Sequence, residues 1–336
     1  MEKRGWGIIG TGMHAGRIVS PVLGENSTTK FVAVCDVDME RAQSFAARNG
    51  IERVYTSLDK MLQDPELEVL YIATPNHLHA QQTIQAAEAG KHVLCEKPMA
   101  LTVADCESMI AACNKNRVKL GVGFQNRYHP AHIEARRYIQ SGQVGVISVA
   151  KAQFGRSHIT MEGWRSDPKM AGAGALVGQG IHAIDLLRYL MDSEVTEVLA
   201  MTNAEPPRRP LEEMACVMIK FANGTYGTMI CGIVVPRSDN DAVLYGDKAK
   251  VTCKGTVGMA LGGELLVEGD SINITMSFTA DDPGSMNYVR QREDFNRWIA
   301  GDSQPGITGQ NGLQMVRIIN AIVESSQQGK AISIKG

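Results

Sequence analysis

The chain has 336 residues, more than one ordinary hydrophobic core accommodates, so we expect two domains. Hydrophobic residues make up 44% and charged residues 21% of the chain, which excludes a globally disordered protein. Lysine and arginine number 34 against 36 aspartates and glutamates. The resulting formal charge of -2 provides none of the basic surface that nucleic-acid binding requires.

The sequence has no feature that predicts export, membrane insertion or metal binding. The polar residues 1–6 do not resemble a secretory signal, and no uncharged apolar stretch approaches the roughly 18 residues of a membrane span. Seven cysteines are scattered without a CxxC pair, which predicts free, mostly buried thiols in a reducing cytoplasm. The clustered ligands of a zinc site are missing as well. We therefore expect a cytoplasmic protein without a metal.

The first 123 residues alternate strand-like and helix-like segments. Such alternation, with strands that are apolar throughout, predicts a doubly wound parallel sheet covered by helices on both faces. The predicted strands are Gly7–Gly10, Phe31–Asp36, Val54–Tyr55, Val69–Ala73, His92–Cys95 and Lys119–Gly123. The predicted helices are Met13–Leu23, Met39–Asn49, Leu58–Leu62, His79–Ala89 and Thr102–Asn114.

From residue 124 to residue 336 the pattern predicts an α+β domain with an open, mostly antiparallel sheet and helices on one face. Asn223-Gly224 separates two strands and is typical of a hairpin turn. The two closing helices can pack back on the first domain. The predicted strands are Val146–Phe154, Val195–Met201, Ala215–Phe221, Thr225–Ile233, a run through Val267, and Ile272–Phe278. The predicted helices are His132–Gln140, Ile181–Met191, Asn287–Ala300 and Gly312–Gln328.

A glycine-rich turn after the first strand predicts a dinucleotide site. Gly10-Thr11-Gly12-Met13-His14-Ala15 fits G-x-G-x-x-A between a strand and a helix, where free N–H groups at the helix start can bind a pyrophosphate. Asp36 closes the second strand, where its carboxylate would bind the adenosine ribose and repel a 2′-phosphate. NAD is therefore favoured over NADP, although Arg41 nearby could tolerate a phosphate.

Three further segments are candidates for the cofactor and the reacting end. Thr74-Pro75-Asn76 and His79 follow a strand, where ligands of parallel sheets bind, although the histidine also fits a plain loop or cap. Glu96-Lys97-Pro98 follows another strand. Its lysine can stabilise a developing alkoxide, its glutamate can orient the lysine or the cofactor, and its proline permits a cis peptide bond. The alternative for Lys97 is a surface lysine.

The segment from Gly178 to Asp185 leads into a helix and carries a candidate proton shuttle. His182 is suited to exchange a hydroxyl proton during hydride transfer. Because Asp185 is three residues later, the alternative is a helix-start histidine paired with that aspartate.

These motifs together, in this order and at these distances, resemble the Gfo/Idh/MocA family of oxidoreductases, a name that stands for glucose–fructose oxidoreductase, inositol dehydrogenase and rhizopine-catabolism relatives. The resemblance covers nearly the whole chain and rests on GTGMHA, Asp36, TPNHLH, CEKP and GIHAIDLLRYL. It implies an NAD-binding Rossmann domain, a substrate-binding and oligomerisation domain, and a homodimer or homotetramer formed through the second sheet. It also implies hydride transfer at the nicotinamide C4, with Lys97 and His182 at the two catalytic positions.

One position departs from the family pattern. Family members usually carry Asp or Asn four residues before the histidine, where this chain has Gly178. Without that carboxylate, Lys97 and His182 must carry the acid–base work alone, or Gln179 or a substrate group assists them.

The resemblance extends to further binding residues. Segment 124–128 and segment 163–168 match regions that reach cofactor and substrate, and the second resembles a loop that closes over the cofactor. The predicted cofactor contacts are Gly10, Thr11, Gly12, Met13, His14, Asp36, Arg41, Thr74, Pro75, Asn76, His79, Glu96, Lys97, Gln125, Trp164 and Arg165. The predicted substrate contacts are Lys97, Arg127, His158, Trp164, Gln179, His182, Asp185 and Tyr288. Surface or packing roles are the alternative for the residues after 123.

Three functions fit this pattern. The first is an NAD-dependent dehydrogenase or reductase of a sugar, inositol or related polyol. The second is a redox-neutral glycosidase or lyase that passes through a transient keto-sugar with retained NAD. The third is a non-enzymatic NAD sensor, against which the presence of both Lys97 and His182 argues. Fold alone cannot separate them.

Overall fold

The computed structural model describes residues 3–16, 28–157, 160–259, 262–279, 287–304 and 306–334. The chain forms two compact units. The first comprises residues 1–123 and 288–316, and the second comprises residues 124–287 and 317–336. Segment 288–316 thus returns to the unit that holds residues 1–123.

The first unit contains a six-stranded parallel sheet in the order β3-β2-β1-β4-β5-β6. Its topology is that of a doubly wound Rossmann fold, as predicted. The strands are β1 (Arg4–Ile9), β2 (Thr29–Cys35), β3 (Arg53–Tyr55), β4 (Val69–Ile72), β5 (His92–Cys95) and β6 (Leu120–Val122). The helices are α1 (Met39–Asn49), α2 (Leu58–Leu62), α3 (His79–Glu88) and α4 (Val103–Lys115), with most of α8 (Asn287–Ala300) and the start of α9 (Gly309–Gln328).

Local sequence explains the ends of these helices. The Asp38 side chain accepts a hydrogen bond from the Arg41 amide at the start of α1, and Gly50 ends the helix in the left-handed conformation. Thr102 caps α4, which therefore begins one residue later than predicted. Of the predicted helix Met13–Leu23, residues 17–23 lie outside the described part of the chain.

Helix α8 packs on the sheet of the first unit. The Trp6 indole is fully buried, lies edge-on to Phe295 of α8 at 6.0 Å between ring centroids, and donates a 3.1 Å hydrogen bond to Asn296. A buried indole N–H needs such a partner, so this contact fixes the returning helix on β1.

The second unit contains a nine-stranded mixed sheet in the order β14-β13-β12-β11-β7-β10-β9-β8-β15. Every pair is antiparallel except β7 and β10. The strands are β7 (Ile147–Gly155), β8 (Val195–Thr202), β9 (Met214–Phe221), β10 (Tyr226–Gly232), β11 (Ala242–Gly246), β12 (Ala249–Lys254), β13 (Gly263–Gly269), β14 (Ile272–Phe278) and β15 (Ile332–Ser333). The helices are α5 (Pro130–Gln140), α6 (Pro168–Ala171) and α7 (Ile181–Met191), with the end of α9.

Buried and exposed residues alternate along β9, as in a sheet with one covered and one open face. Helix α7 packs on β7 and β10 and is almost entirely buried. A π-helical turn, Leu176–Gly180, directly precedes α7 and was not predicted. Sequence periodicity detects such single turns poorly because they add one residue to an otherwise helical repeat.

The stretch Pro168–Met191 is long and apolar enough to cross a membrane by length and composition, although none was expected. Because 72% of its most apolar window is buried inside the protein, burial in the protein core accounts for that composition. All seven cysteines are free, as predicted, and all but Cys216 are buried.

Candidate active site

The glycine-rich turn is hydrogen-bonded to Asp36, which follows the second strand. Gly10 has a φ of +91°, and a Cβ there would lie 2.7 Å from the Ala73 carbonyl oxygen, so only glycine fits. Beyond it, the Thr11 amide and hydroxyl donate hydrogen bonds of 2.8 and 2.7 Å to Asp36. No described atom lies within 4 Å of a Cβ built on Gly12, so the backbone there is open to a ligand.

Asp36 lies directly after β2 and is almost completely engaged by protein donors. Besides Thr11, the Asp38 amide donates to its carboxylate at 3.1 Å and the Arg41 guanidinium at 2.8 Å. Burial opposes ionisation of Asp36, but the bonds from Arg41, Thr11 and Asp38 hold the pKa of the carboxyl below its ordinary value. The predicted ribose-binding position is therefore a fixed negative charge with an arginine directly beside it.

Glu96 joins the glycine-rich turn to the loop that carries Lys97. Its buried carboxylate lies 3.1 Å from the His14 ring and accepts hydrogen bonds from the Tyr71 hydroxyl and, at 3.2 Å, from the Lys97 amide. Burial opposes ionisation, but His14, Tyr71 and Lys97 lower the pKa of Glu96 to about 2. The His14 ring also lies edge-on to Tyr288 of α8, at 6.0 Å.

Tyr71 is a member of this cluster that the sequence did not reveal. It lies inside the apolar run of β4, and its hydroxyl is buried against Glu96. A tyrosine within an otherwise aliphatic strand is a weak signal, because buried tyrosines occur in many cores with other partners.

The loop after β4 is tied to the loop after β5 by His79. The two nitrogens of its buried ring lie 2.8 Å from the Pro98 carbonyl oxygen and 2.9 Å from that of Thr74. The Lys97–Pro98 peptide bond is cis. His79 thus contacts backbone rather than open space, which favours the loop-histidine alternative for this residue.

In the second unit, His182 lies in the first turn of α7 and is 5% exposed. Its ring packs edge-on against Phe154 of β7 at 6.0 Å between centroids. Gln179 is 7% exposed, and its side-chain oxygen has no partner among the described residues. A Cβ built on Gly178 would meet no atom of a non-neighbouring described residue within 4 Å, so no described side chain takes the place of the family's carboxylate.

Arg127 and Asp185 form a buried ion pair. The guanidinium donates from Nε at 2.8 Å and from Nη2 at 2.5 Å, and both side chains are at least nine-tenths buried. Arg188 lies 3.4 Å from the same carboxylate and continues to Glu194 at 2.7 Å. Asp185 is therefore paired with arginines, which supports the packing alternative for both members of the pair, and their predicted substrate contact stays a prediction.

The remaining predicted residues are spread over both units. Gln125 is buried, and its side-chain oxygen finds no partner among the described residues. The Arg165 guanidinium lies over the Trp164 ring, 4.4 Å from the ring centroid, and Arg165 is exposed. Met13 is 62% exposed. His158 lies outside the described residues.

Comparison with known proteins agrees with these features. Residues 4–124 match the model of an oxidoreductase family with an NAD-binding Rossmann fold, and residues 132–252 match the GFO/IDH/MocA C-terminal domain. The chain is 27% identical to 1,5-anhydro-D-fructose reductase of Ensifer adhaerens over 98% of both chains. It is 30% identical to mouse trans-1,2-dihydrobenzene-1,2-diol dehydrogenase over 68% of both.

Solved structures give the same assignment. A complex of levoglucosan dehydrogenase with NADH and levoglucosan superposes with a TM-score of 0.89 and 26% identity, and the match covers both chains completely. The chain belongs to the Gfo/Idh/MocA family of oxidoreductases, and its amino-terminal domain is an NAD-binding Rossmann domain.

Proposed function

We propose that this protein is an NAD(H)-dependent oxidoreductase that transfers a hydride between the nicotinamide C4 and a hydroxyl or carbonyl carbon of a sugar or related polyol. Lys97 polarises the reacting oxygen and His182 exchanges its proton. The carrying observation is the link from His14 to Glu96 to the Lys97 amide within the first unit. A dinucleotide held by the glycine-rich turn would lie against the same cluster that holds the lysine loop.

The chemistry of each group fits its role. The Lys97 ammonium supplies positive charge where an alkoxide develops, and Glu96 holds the loop that carries it. A histidine is suited to proton exchange near neutral pH, and the burial of His182 keeps its ring in one orientation against Phe154. The open backbone at Gly12 and the fixed charge of Asp36 suit the pyrophosphate and ribose of NAD.

The substrate class is a cyclic sugar or polyol. Two relatives named for such compounds, 1,5-anhydro-D-fructose reductase and levoglucosan dehydrogenase, match over nearly the full chain. Gln179 offers a buried acceptor without a described partner, and a substrate hydroxyl donating to it would be held beside His182. Trp164 and Arg165 are candidate contacts of the outer part of the substrate.

A direct test measures NADH absorbance with NAD and each member of a panel of anhydro-sugars, aldoses, inositols and glycosides, and with NADH and 1,5-anhydro-D-fructose, with product analysis alongside. Net NADH formation or consumption with one sugar class supports the proposal. An absence of hydride transfer to or from every member of the panel, in a protein that binds NADH, contradicts it.

The second candidate is a redox-neutral glycosidase or lyase with retained NAD. Glycine in place of the family's Asp or Asn at position 178 favours it, because a residue without a side chain leaves room near His182 for a substituent that departs from the sugar. Glycoside cleavage that requires NAD yet gives no net NADH would establish this reaction in place of the first.

We also propose that the protein is a cytoplasmic homodimer or homotetramer assembled through the second sheet. Large apolar side chains are exposed along three adjacent strands, and contiguous exposed apolar surface of this kind marks interaction sites. They are Leu199 and Met201 on β8, Met218 on β9, and Tyr226 and Ile230 on β10. Light scattering after chromatography should show an oligomer that Met218→Lys weakens, and a monomeric unmodified chain would contradict it.

A further inference from the structure

The helical segment that carries His182 begins without a local cap. It runs from Leu176 through the π-helical turn into α7 and ends at Met191. The first amides of a helix need acceptors, which the preceding side chains usually supply. Here the residues before the start are alanine and glycine, 173–175, which have no acceptor in their side chains and are buried. Solvent is therefore a poor substitute, and the acceptors have to come from elsewhere in the fold.

Glu212 supplies those acceptors from the segment before β9. One oxygen of its buried carboxylate accepts hydrogen bonds of 2.8 Å from both the Gly174 and the Leu176 amides. The Glu212 carbonyl oxygen accepts a third bond, of 2.9 Å, from the Ala175 amide. Three successive amides at the start of the segment are thus bound by one residue. A negative charge at this end of a helix also interacts favourably with the helix dipole.

The fit around this contact leaves little freedom. A Cβ built on Gly174 would lie 2.1 Å from the Glu212 carbonyl oxygen, so the two backbones touch. At the end of the π-helical turn, a Cβ built on Gly180 would lie 3.0 Å from the Cys231 sulfur on β10. The segment is therefore held at its first residues and again immediately before His182. Because the helix is continuous from Leu176 to His182, we expect a movement at the Glu212 end to displace the histidine as well.

We propose that Glu212 is a positioning residue for His182, which fixes the helix start and through it the place of the imidazole. The inference rests on the proposed role of His182 in proton exchange. It adds a residue that no motif indicates, because Glu212 follows His182 by 30 positions and belongs to a different element. Asp185, held by Arg127, fixes the next turn of the same helix.

The first test follows the imidazole of His182 directly, in the full-length protein saturated with NADH. Histidine labelled with ¹³C at Cε1 only gives one labelled ring resonance for each histidine, and the peak that is lost in His182→Gln is assigned to His182. Glu212→Leu, which removes the acceptor, should move and broaden the His182 resonance. Glu212→Gln, which keeps an oxygen acceptor, should restore it close to its original position. The matched control is Glu213→Leu, since Glu213 pairs with Arg209 at 3.2 Å and not with the helix.

Should Glu212→Leu fail to fold, Gly174→Ala gives the same test with the carboxylate retained, because its Cβ forces the two backbones apart. Of Glu212→Leu and Gly174→Ala, the variant that folds decides the test. The proposal is overturned if its His182 resonance is the same as in the Glu213→Leu control.

The second test measures hydride transfer with the panel compound that gives the fastest turnover in the unmodified protein, normalised to the NADH sites counted by titration. Displacement of a catalytic group by about 1 Å can cost about 10²-fold, so Glu212→Leu should lower kcat by tenfold to 10²-fold and leave the Kd for NADH unchanged. Glu212→Gln should recover most of the lost kcat. A purely structural role would reduce the number of NADH-competent sites or Tm without lowering kcat per site. If His182→Ala retains full turnover, the proposed function fails, whereas the resonance test still decides whether Glu212 positions the ring.

Discussion

The two units of this protein use buried charge in different ways. In the first unit, Asp36 and Glu96 each follow directly after a parallel strand and collect donors from the glycine-rich turn. In the second unit, Asp185 lies inside a helix and is neutralised by arginines, with 1% of its surface exposed. Carboxylates at strand ends stand where ligands of parallel sheets bind, whereas Asp185 is bound by two arginines of the protein itself. The comparison predicts that Asp36 and Glu96 govern cofactor binding, whereas Asp185 governs the stability of the fold.

The largest effect should come from removing the two proposed catalytic groups, one in each unit. Lys97→Ala and His182→Ala should each lower kcat by about 10² or more, because general acid–base groups typically contribute 10²–10⁴-fold. NADH affinity should remain, as measured by fluorescence titration. Turnover reduced by less than about tenfold in either variant would contradict its acid–base role. Lys91→Ala is the control for loss of a lysine on the same unit, since Lys91 binds the backbone before β4.

Breaking the buried pair of the second unit should reduce stability strongly. Asp185→Ala leaves Arg127 buried without its bidentate partner, which typically lowers the free energy of unfolding by about 3–5 kcal/mol. Denaturant unfolding measures this change. The matched control is Glu134→Ala, which breaks the exposed 2.8 Å pair with Arg137 and should cost about 0–1 kcal/mol. If the two substitutions lowered the free energy of unfolding equally, the proposed stabilising role of Asp185 in the second unit would be contradicted.

Acid should weaken the second unit through His132. This fully buried ring bonds to the Asn126 carbonyl oxygen and the Thr256 hydroxyl, and burial and the neighbouring His129 lower its pKa to about 3. The folded state therefore favours the neutral ring of His132. Its contribution to the free energy of unfolding is fully present above the pKa of an unfolded histidine, about 6.5, and is lost as the pH falls towards the folded-state pKa of about 3. The slope from this group is at most about 1.4 kcal/mol per pH unit.

Unfolding free energy measured against pH checks this prediction. His132→Gln should flatten the slope between pH ~6.5 and ~3, whereas His77→Gln, at an exposed histidine, should leave it unchanged. An unaltered slope in His132→Gln would contradict the assignment. The half-buried His92 of the first unit, whose pKa is lowered to about 4 by partial burial, contributes in the same direction and remains in both variants.

The smallest effect concerns cofactor choice in the first unit. Asp36→Ala removes the charge that we propose binds the ribose and opposes a 2′-phosphate, so the preference for NAD over NADP should narrow by about tenfold, within the range of hydrogen bonds to charged groups. Paired titrations with NADH and NADPH measure it. Arg41→Ala frees the carboxylate from its 2.8 Å partner and should widen the preference. Equal affinities for the two cofactors in the unmodified protein would contradict the role of Asp36.

Local sequence was sufficient wherever the structure depends on neighbouring residues. Helix α1 has the predicted bounds because Asp38 caps it and Gly50 ends it in a conformation that glycine adopts readily. The strand-end positions of Asp36 and Glu96 also follow from pattern, since an apolar run of fixed length ends at the sheet edge. The parallel pairing of β7 with β10 in the second sheet did not follow, because strand partners are chosen by tertiary packing.

The sequence by itself determined the Rossmann topology, the glycine-rich turn, and the positions of Lys97 and His182 on their elements. Tertiary structure alone decided what holds those residues. It placed Tyr71 on Glu96 and Glu212 at the start of the His182 helix, and it paired Asp185 with Arg127. The physical reason is that a buried polar group must find a partner wherever the fold brings one, and nothing in the local sequence around either partner records that choice.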